Sequence, residues 1–239
     1  MLDAVFISDL HLHPHEDGII ARFNAFIDWA ATNTKAVYIL GDFFHVWPGD
    51  DGLEPWSEEI AQRLHWLSQQ NVQIYYLHGN RDFLLGEQFA KVANIKILSE
   101  PAIILFGLPV MLVHGDRYCT LDRAHVWFRR LTRNRWFAKF FLKLPLSFRN
   151  KLVNKVREHS QMNKNKATAE MDVVVESMLK HMQKYQTNIL IRGHTHKPGL
   201  INYPYNDNQY SEYVLSDWDD SPHLLCYDKT NGFKFEQFF

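Results

Sequence analysis

Five short polar motifs, each at the end of an apolar run, constrain this chain more than any other feature. They are Asp9-Leu10-His11, Gly41-Asp42, Gly79-Asn80-Arg81-Asp82, His114-Gly115-Asp116 and Gly193-His194-Thr195-His196. In an open α/β sheet, functional side chains collect beyond the carboxyl ends of the strands. The motifs therefore predict one polar site, built where several strands end at a common edge.

The apolar runs predict the strands that carry these motifs. Residues 4–8, 36–40 and 72–77 are typical of buried strands, and residues 19–30 and 56–67 between them have the apolar spacing of helices. This alternation predicts a parallel sheet covered by helices, an α/β fold that some schemes class as α+β. A hairpin around Gly107 and later strands are predicted from apolar runs at 102–106, 109–113, 189–192, 213–216, 223–227 and 233–235.

Seven side chains of the motifs offer an oxygen or an imidazole nitrogen to a cation: Asp9, His11, Asp42, Asn80, His114, His194 and His196. This set is too large for one tetrahedral zinc ion with an open position. It suits two divalent cations of the manganese, iron or zinc type that share a carboxylate, and we expect manganese because oxygen ligands are prominent. Two such cations clamp the attacking and leaving oxygens of a phosphoryl displacement. Eight other histidines occur in no such pattern, and we predict that they are not ligands: His13, His15, His45, His65, His125, His159, His181 and His223.

A basic and aromatic segment stands apart from this pattern. Between residues 123 and 157 there are eleven Lys or Arg and no Asp or Glu, whereas the whole chain has a net charge of −1. Apolar residues at 137, 140, 141 and 144 have amphipathic helical spacing, and Pro145 separates them from a second such run. We predict a helical cap insertion at 120–166, within a single domain whose core comprises 1–119 and 167–239.

Composition excludes several other classes of protein. A content of 46% hydrophobic residues excludes a disordered chain. No apolar run reaches the roughly 18 residues of a membrane span, and the first residues lack the basic region of a secretory signal. Cys119 and Cys226 form neither a disulfide framework nor a zinc-finger spacing, so we expect a reducing, cytoplasmic setting.

The order of the motifs, D-x-H, G-D, G-N-x-D/E, H and G-H-x-H, resembles that of the calcineurin-like metallophosphoesterases. The longer runs 41–51, 78–86 and 114–122 are similar to the UDP-2,3-diacylglucosamine pyrophosphohydrolase family of lipid A biosynthesis. The resemblance implies a four-layer αββα sandwich with a helical cap. It also implies an enzyme that uses two Mn²⁺ ions to cleave the pyrophosphate of UDP-2,3-diacylglucosamine, giving UMP and 2,3-diacylglucosamine 1-phosphate.

The resemblance further implies a role for each motif residue. Asp9, His11 and His196 would hold the first metal ion, Asn80, His114 and His194 would hold the second, and Asp42 would bridge them. The expected catalytic residues are Asp42, Asn80, Arg81 and His194. The expected substrate contacts are Asn80, Arg81, Asp122, Ser160, Asn163, Lys166 and His194.

Arg81 occupies the position at which many relatives in the wider superfamily carry a histidine that acts as general acid. A guanidinium does not release its proton at neutral pH, but it binds phosphate oxygens and stabilises developing charge. Arg81 therefore favours a leaving group that is itself a phosphate, as in a pyrophosphate, over an alkoxide. The structural alternative is an ion pair with the adjacent Asp82.

The implied substrate also suggests partners and a location. We expect a UDP-diacylglucosamine lipid as substrate and an anionic membrane surface as partner, because basic aromatic helices lie in the membrane interface. The location would then be the cytoplasmic face of the inner membrane, and we expect neither nucleic acid nor a protein partner. The alternative function is another calcineurin-like phosphodiesterase or a nuclease, since basic patches with interleaved aromatics also bind single strands. A scaffold with a degenerate metal site is a third possibility, which the complete ligand set disfavours.

Overall fold

The computed structural model describes residues 1–162, 173–219 and 221–238, and it contains two sheets. The first sheet has the strand order β11-β10-β1-β2-β3-β4, in which β1 to β4 are parallel and β10 and β11 are antiparallel to their neighbours. Its strands are β1 (Ala4–Ile7), β2 (Ala36–Ile39), β3 (Gln73–Tyr76), β4 (Lys96–Ile97), β10 (His223–Asp228) and β11 (Gly232–Gln237).

The second sheet has the order β5-β6-β7-β9-β8. Strands β6, β7 and β9 are parallel, and the antiparallel strands β5 and β8 form the two edges. The strands are β5 (Ala102–Leu105), β6 (Pro109–Leu112), β7 (Ile189–Arg192), β8 (Gly199–Tyr205) and β9 (Asn208–Val214). The predicted hairpin around Gly107 is therefore confirmed as β5–β6.

The described residues contain these helices: α1 (Asp17–Asn33), α2 (Pro55–Gln69), α3 (Glu87–Ala93), α4 (Arg123–Thr132), α5 (Arg135–Phe141), α6 (Leu146–Met162) and α7 (Val175–Lys184). Local chemistry explains their ends. Helix α2 starts with Pro55 and a capping box between Glu54 and Ser57. Asn94 takes a left-handed conformation at the end of α3. None of these helices is long and apolar enough to cross a membrane.

Three apolar clusters separate four layers. Side chains alternate across a strand, so Val5 on β1 packs with α1 and α2, whereas the next residue, Phe6, packs between the two sheets. On the far side of the second sheet, Met111 and Leu190 pack against α7. The layers are therefore α1–α3, the first sheet, the second sheet and α7, and the predicted αββα sandwich is confirmed.

The sequence analysis missed β8 and the first half of β9. The predicted strand at 213–216 is only the end of β9, which starts at Asn208. Strand β8 is an edge strand with mostly exposed or half-buried residues, so it lacks the apolar alternation that marks a buried strand. Asn206 and Asp207 both have positive φ in the connecting turn, and this Asn-Asp pair is the local signal for the hairpin.

Not all of the positive charge in the basic segment faces solvent. The buried Arg149 on α6 donates to the carbonyls of Pro48 and Leu144 and pairs with Asp51. Arg129 and Arg133 also point toward the core, while the exposed basic residues whose side chains are described are Arg123, Arg130, Lys139, Lys143, Lys151 and Lys155. The inward arginines attach α4 and α6 to the loops beneath them. These two helices and α5 are here called the cap helices.

Candidate metal centre

The five motifs converge because each follows the end of a parallel strand. Asp9 comes two residues after β1, and Asp42 and Asn80 follow β2 and β3 in the first sheet. In the second sheet, His114 follows β6 and His194 follows β7. The carboxyl ends of the strands thus place these side chains on one edge of the sandwich.

The backbone at this edge is unusual for its residue types. Asp9, His11, Asp42, His194 and His196 have φ values of 56°, 52°, 49°, 75° and 55°, in the left-handed region. Non-glycine residues rarely adopt this conformation, and each instance costs on the order of 1 kcal/mol or more. Five of the seven predicted ligands have this strained backbone. Because such strain lowers stability, its concentration here indicates a functional site.

Two glycines allow the loops to pack against each other at the site. A Cβ on Gly79 would overlap with the side chain of Asp42, and a Cβ on Gly193 would overlap with Asp9 and Ser8. These positions require glycine because the carboxylates touch the neighbouring backbone.

The predicted ligands form two groups within the described part of the chain. Asp9, His11 and His196 form one group, and Asp42, His114 and His194 form the other; in each group the ligand atoms lie within 4.8 Å of one another. Asn80 joins the second group, since its Oδ1 lies 3.0 Å from His114 Nε2. Among the histidines whose side chains the structure describes, none that we predicted to be a non-ligand belongs to either group.

Hydrogen bonds from the protein orient two of the imidazoles. His114 Nδ1 donates to the Leu40 carbonyl at 2.9 Å, so its Nε2 faces Asp42 Oδ1 at 3.6 Å. His196 Nδ1 lies 3.1 Å from Asp217 Oδ2, and its Nε2 faces Asp9 Oδ1 at 3.4 Å. An acceptor behind each ring directs the other nitrogen into the site, which is how histidine ligands are held in metal proteins.

Several ligand atoms have no hydrogen-bond partner. Asp9 Oδ2 accepts from the Ser8 hydroxyl at 2.6 Å and from the His194 amide at 2.9 Å. Asp9 Oδ1 is buried without a hydrogen bond, and His196 Nε2 faces it at 3.4 Å. Both ring nitrogens of His11 are also buried and unpaired. Buried polar atoms without partners destabilise a fold, and Asp9 and His11 each contribute one atom to the first group of candidate ligand atoms. The donor set of carboxylate, amide and imidazole groups therefore fits a pair of divalent metal ions.

The pKa shifts of the histidines at the site also agree with a pair of divalent metal ions. Burial lowers the pKa of His194 to about 3 and that of His11 to about 2, so both rings are neutral and able to bind a metal. Burial also acts on His114, but the charges of Asp42, Asp9 and Asp116 outweigh it and raise the pKa of this histidine to about 9. The carboxylates thus give the site a negative potential that attracts positive charge.

Arg81 pairs with Asp42, not with Asp82. Its Nε lies 3.4 Å from Asp42 Oδ2, its amide donates to Asp42 Oδ1 at 2.9 Å, and its Nη1 lies 3.3 Å from His45 Nδ1. The side chain is 36% exposed, so the guanidinium lies where the site opens to solvent. The alternative ion pair with Asp82 is wrong, because that buried carboxylate accepts from the amides of Phe43 and Gly79 and from Tyr76.

The structure describes some of the predicted substrate contacts outside the motifs but not others. Asp122 caps α4, where Oδ1 accepts from the His125 amide at 3.0 Å. Ser160 lies within α6, but its side chain is outside the described part. Asn163 and Lys166 lie outside the described residues altogether.

Sequence reasoning missed three neighbours of the predicted ligands. Asp217 lies behind His196, His45 lies beside Arg81, and the His125 ring lies 5.9 Å from that of His194. Asp217 is remote in sequence from the motif it supports, so no local spacing revealed it. His45 closely follows Asp42, and this proximity was the one available signal.

Comparison with known proteins gives consistent similarities. The family model described as calcineurin-like phosphoesterase matches residues 3–198. A curated UDP-2,3-diacylglucosamine hydrolase of Coxiella burnetii is 38% identical over 240 residues, covering 100% of this chain and 98% of that protein. Proteins of the same name from Hahella chejuensis and Stutzerimonas stutzeri are 41% and 40% identical, covering 92% and 96% of this chain and 91% and 96% of their own lengths.

Proposed function

This chain belongs to the calcineurin-like phosphoesterase family, and we propose that it hydrolyses the pyrophosphate of UDP-2,3-diacylglucosamine to UMP and 2,3-diacylglucosamine 1-phosphate. It is a hydrolase, and relatives that match its whole length are named for this substrate. The observation that carries the proposal is the convergence of two groups of ligand atoms from five strand ends. Within these groups, Asp9 Oδ1 and the ring nitrogens of His11 are buried without a hydrogen-bond partner, and a cation would compensate for that cost.

We assign two metal ions, proposed to be Mn²⁺, to this centre. Asp9, His11 and His196 would hold one, Asn80, His114 and His194 the other, and Asp42 would bridge them; the two groups of ligand atoms support this division. When bound, such a pair lowers the pKa of a water molecule and stabilises negative charge on phosphoryl oxygens. The mixture of oxygen and imidazole donors, with no thiolate, supports manganese.

The chain's own residues orient the phosphates. Arg81 is held by Asp42 and His45 and is partly exposed, which suits a guanidinium that binds phosphate oxygens and stabilises the departing phosphate. Asn80 turns its Oδ1 toward His114, so its amide N–H groups are directed away from that ring and can donate to a phosphoryl oxygen. His194 completes the proposed catalytic set, and Asp122, Ser160, Asn163 and Lys166 are the further proposed substrate contacts.

Product analysis tests the reaction. Purified protein with Mn²⁺ is given UDP-2,3-diacylglucosamine in detergent micelles, in water enriched with heavy oxygen, beside a sample that contains chelator. We expect UMP that carries the heavy label, together with the unlabelled lipid 1-phosphate, and no products in chelator.

The assignment would be overturned if the metal-loaded protein formed none of these products and instead cleaved a simple phosphodiester or single-stranded nucleic acid. It would favour the alternative of another phosphodiesterase or a nuclease. Asp42→Asn is the control, because it removes the proposed bridging ligand without altering side-chain volume.

We further propose that the cap helices bind an anionic membrane surface, at the cytoplasmic face of the inner membrane. Trp127 and Trp136 are 66% and 67% exposed, and Phe140 and Phe148 are also exposed on the same helical segment. Lys139 and Lys143 lie near the rings of Trp136 and Phe140, at 5.9 and 5.6 Å from their centroids. Exposed aromatics with lysines beside them are typical of helices that lie in a membrane interface.

Cosedimentation with lipid vesicles tests this surface. We expect binding to vesicles that contain anionic lipid, weaker binding to neutral vesicles, and loss of binding in a Trp136→Ala/Phe140→Ala variant. Leu105→Ala is the matched control, since Leu105 is even more exposed but lies on β5, outside the cap helices. Equal binding by the double variant and the parent would contradict the proposal.

A further inference from the structure

One face of α4 lies against the loops of the metal centre. His125, Arg129 and Arg133, the last of which caps the C-terminus of α4, are spaced by four residues, so their side chains lie on one side of this segment. Arg130, next to Arg129 in sequence, is exposed on another side. The basic cap thus has an inner face that contacts the core as well as an outer face toward solvent.

Arg133 binds the loop that carries Asn80. Its Nη2 donates to the carbonyls of His78 and Gly79, at 3.1 Å in each case. These carbonyls precede Asn80 directly in sequence, so the guanidinium fixes the backbone from which the Asn80 side chain extends. A guanidinium remains charged at any physiological pH, and such charge-assisted bonds are stronger than neutral ones.

The same helix face binds the loop that carries His114. Arg129 Nε donates to Asp116 Oδ2 at 3.0 Å, and its Nη2 donates to Glu100 at 2.8 Å. His125 Nε2 donates to the Asp116 carbonyl at 3.0 Å. Asp116 is buried two residues after His114, and Arg133 Nη2 approaches it to 3.8 Å. Arg133 therefore lies between the Asn80 loop and the His114 loop.

These contacts reach only one of the two ligand groups. Asn80 and His114 lie in the loops that α4 binds, and the His125 ring lies against His194 of the same group. In the ranges 1–162, 173–219 and 221–238, none of these three α4 side chains bonds to Asp9, His11 or His196.

We propose that Arg133 is a positioning residue that sets the distance between Asn80 and His114 and thereby the affinity of their metal position alone. The inference rests on the proposed two-metal function and adds that the cap is part of the metal centre rather than only a cover for substrate. Removing Arg133 leaves two carbonyls without their charged donor and releases the Asn80 loop from the cap. The position formed by Asp9, His11 and His196 keeps all of its contacts.

Manganese binding to Arg133→Gln tests the proposal, with Arg130→Gln as a control that removes the same charge from an exposed site on the same helix. Metal-depleted proteins are titrated with Mn²⁺ alone by calorimetry, and spin coupling between paired ions is followed by electron paramagnetic resonance. We expect Arg133→Gln to bind one ion with parental affinity and the second about tenfold more weakly or worse, with loss of the coupled signal at limiting metal. Arg130→Gln should bind both ions as the parent does.

Turnover gives a second readout that a general loss of structure would not produce. Excess Mn²⁺ should restore kcat in Arg133→Gln, with KM for the substrate unchanged. Arg133→Lys keeps the charge but loses the forked geometry, so its affinity for the second Mn²⁺ ion should lie between those of the parent and Arg133→Gln. This variant also tests the proposal if Arg133→Gln does not fold. Equal affinities in the Arg133 variants and the parent, or equal weakening of both positions, would overturn the inference. A parent that binds fewer than two ions would instead overturn the proposed function.

Discussion

Arg192 and Glu212 form a buried ion pair between the neighbouring strands β7 and β9, directly beneath the loop that carries His194 and His196. Arg192 Nη1 also donates to the Gly193 carbonyl at 2.9 Å and to Thr195 Oγ1 at 2.8 Å. The Tyr203 hydroxyl donates to the other oxygen of Glu212 at 2.7 Å. The pair thus connects the second sheet to the turn that carries two of the proposed metal ligands.

Glu212→Gln should destabilise the protein strongly. The variant leaves the Arg192 guanidinium buried without a counter-charge, and breaking a buried pair in this way costs about 3 kcal/mol. Urea unfolding of the metal-free protein measures the loss. Glu236→Gln, at a partly exposed carboxylate on β11, is the control and should change stability by less than about 0.5 kcal/mol. Similar stabilities for the two variants would show that the pair has no such role.

Arg81→Gln should lower kcat while leaving metal content unchanged. The guanidinium is partly exposed, and among the described residues it contacts Asp42 and His45, so its loss removes a phosphate donor rather than a ligand. Loss of one preorganised donor to developing charge lowers turnover by roughly 100-fold. Metal analysis beside steady-state kinetics checks both parts, and loss of metal in this variant would point to a structural role instead.

Asp42→Asn should abolish turnover and yet raise the unfolding temperature of the metal-free protein. Burial, together with the charges of Asp82 and Asp9, outweighs the attraction of His114 and Arg81 and raises the pKa of Asp42 to about 7. Its negative charge is therefore unfavourable when no metal ion is present. A gain of about 1 kcal/mol would raise Tm by 2–4 °C for a domain of this size. Thermal unfolding in chelator measures this. The exposed Asp28→Asn should change neither property, and a lower Tm for Asp42→Asn would refute the expectation.

Asp217→Asn should weaken the other metal position. Its carboxylate lies behind His196, and loss of such a partner lowers metal affinity by roughly 10- to 100-fold. The effect should be confined to the position of Asp9, His11 and His196, the converse of the effect expected for Arg133→Gln. Calorimetric titration with Mn²⁺ distinguishes the two patterns, and two unchanged affinities would exclude the role.

Stability should fall at acidic pH because of His181. Burial, followed by the charges of Arg117, Lys184 and Arg129, lowers the pKa of this histidine from 6.5 to about 4. The unfolded chain therefore binds a proton at higher pH than the folded protein does. The contribution of neutral His181 to the free energy of unfolding is therefore fully present above about pH 6.5, and it is lost as the pH falls toward 4. Chemical unfolding from pH 7.5 to 4.5 measures the slope, which His181→Gln should reduce; an identical slope would contradict the assignment.

Much of the fold was predictable because apolar runs and the polar residues that follow them can be recognised in short stretches of sequence. Buried strands such as β1 and β7 are short apolar runs, and a ligand that follows a strand end is recognisable from the order of residues alone. The edge strand β8 and helix α7 were not predicted. Edge strands need little apolar alternation, and α7 buries only Met178, Leu179 and Met182.

The contacts that hold the site in place were not predictable in this way. Glu212 and Asp217 are distant in sequence from the histidine motif that they support. Counting charge in the basic segment did not distinguish Arg133, which binds the core, from Arg130, which faces solvent. Charge composition carries no information on side-chain direction, which depends on which helix face packs inward.

The sequence by itself indicated the α/β class and the types of candidate ligand, because these depend on strand periodicity and on donor atoms in a fixed order. The order of the motifs also carried the resemblance to the family, and that resemblance implied the αββα layers. Only the tertiary structure decided which neighbours orient the imidazoles of His114 and His196, and which arginines of the basic segment bind the loops of the site. Those features depend on distances between segments remote along the chain. Such distances are set by the packing of the two sheets and the cap, since no local pattern encodes them.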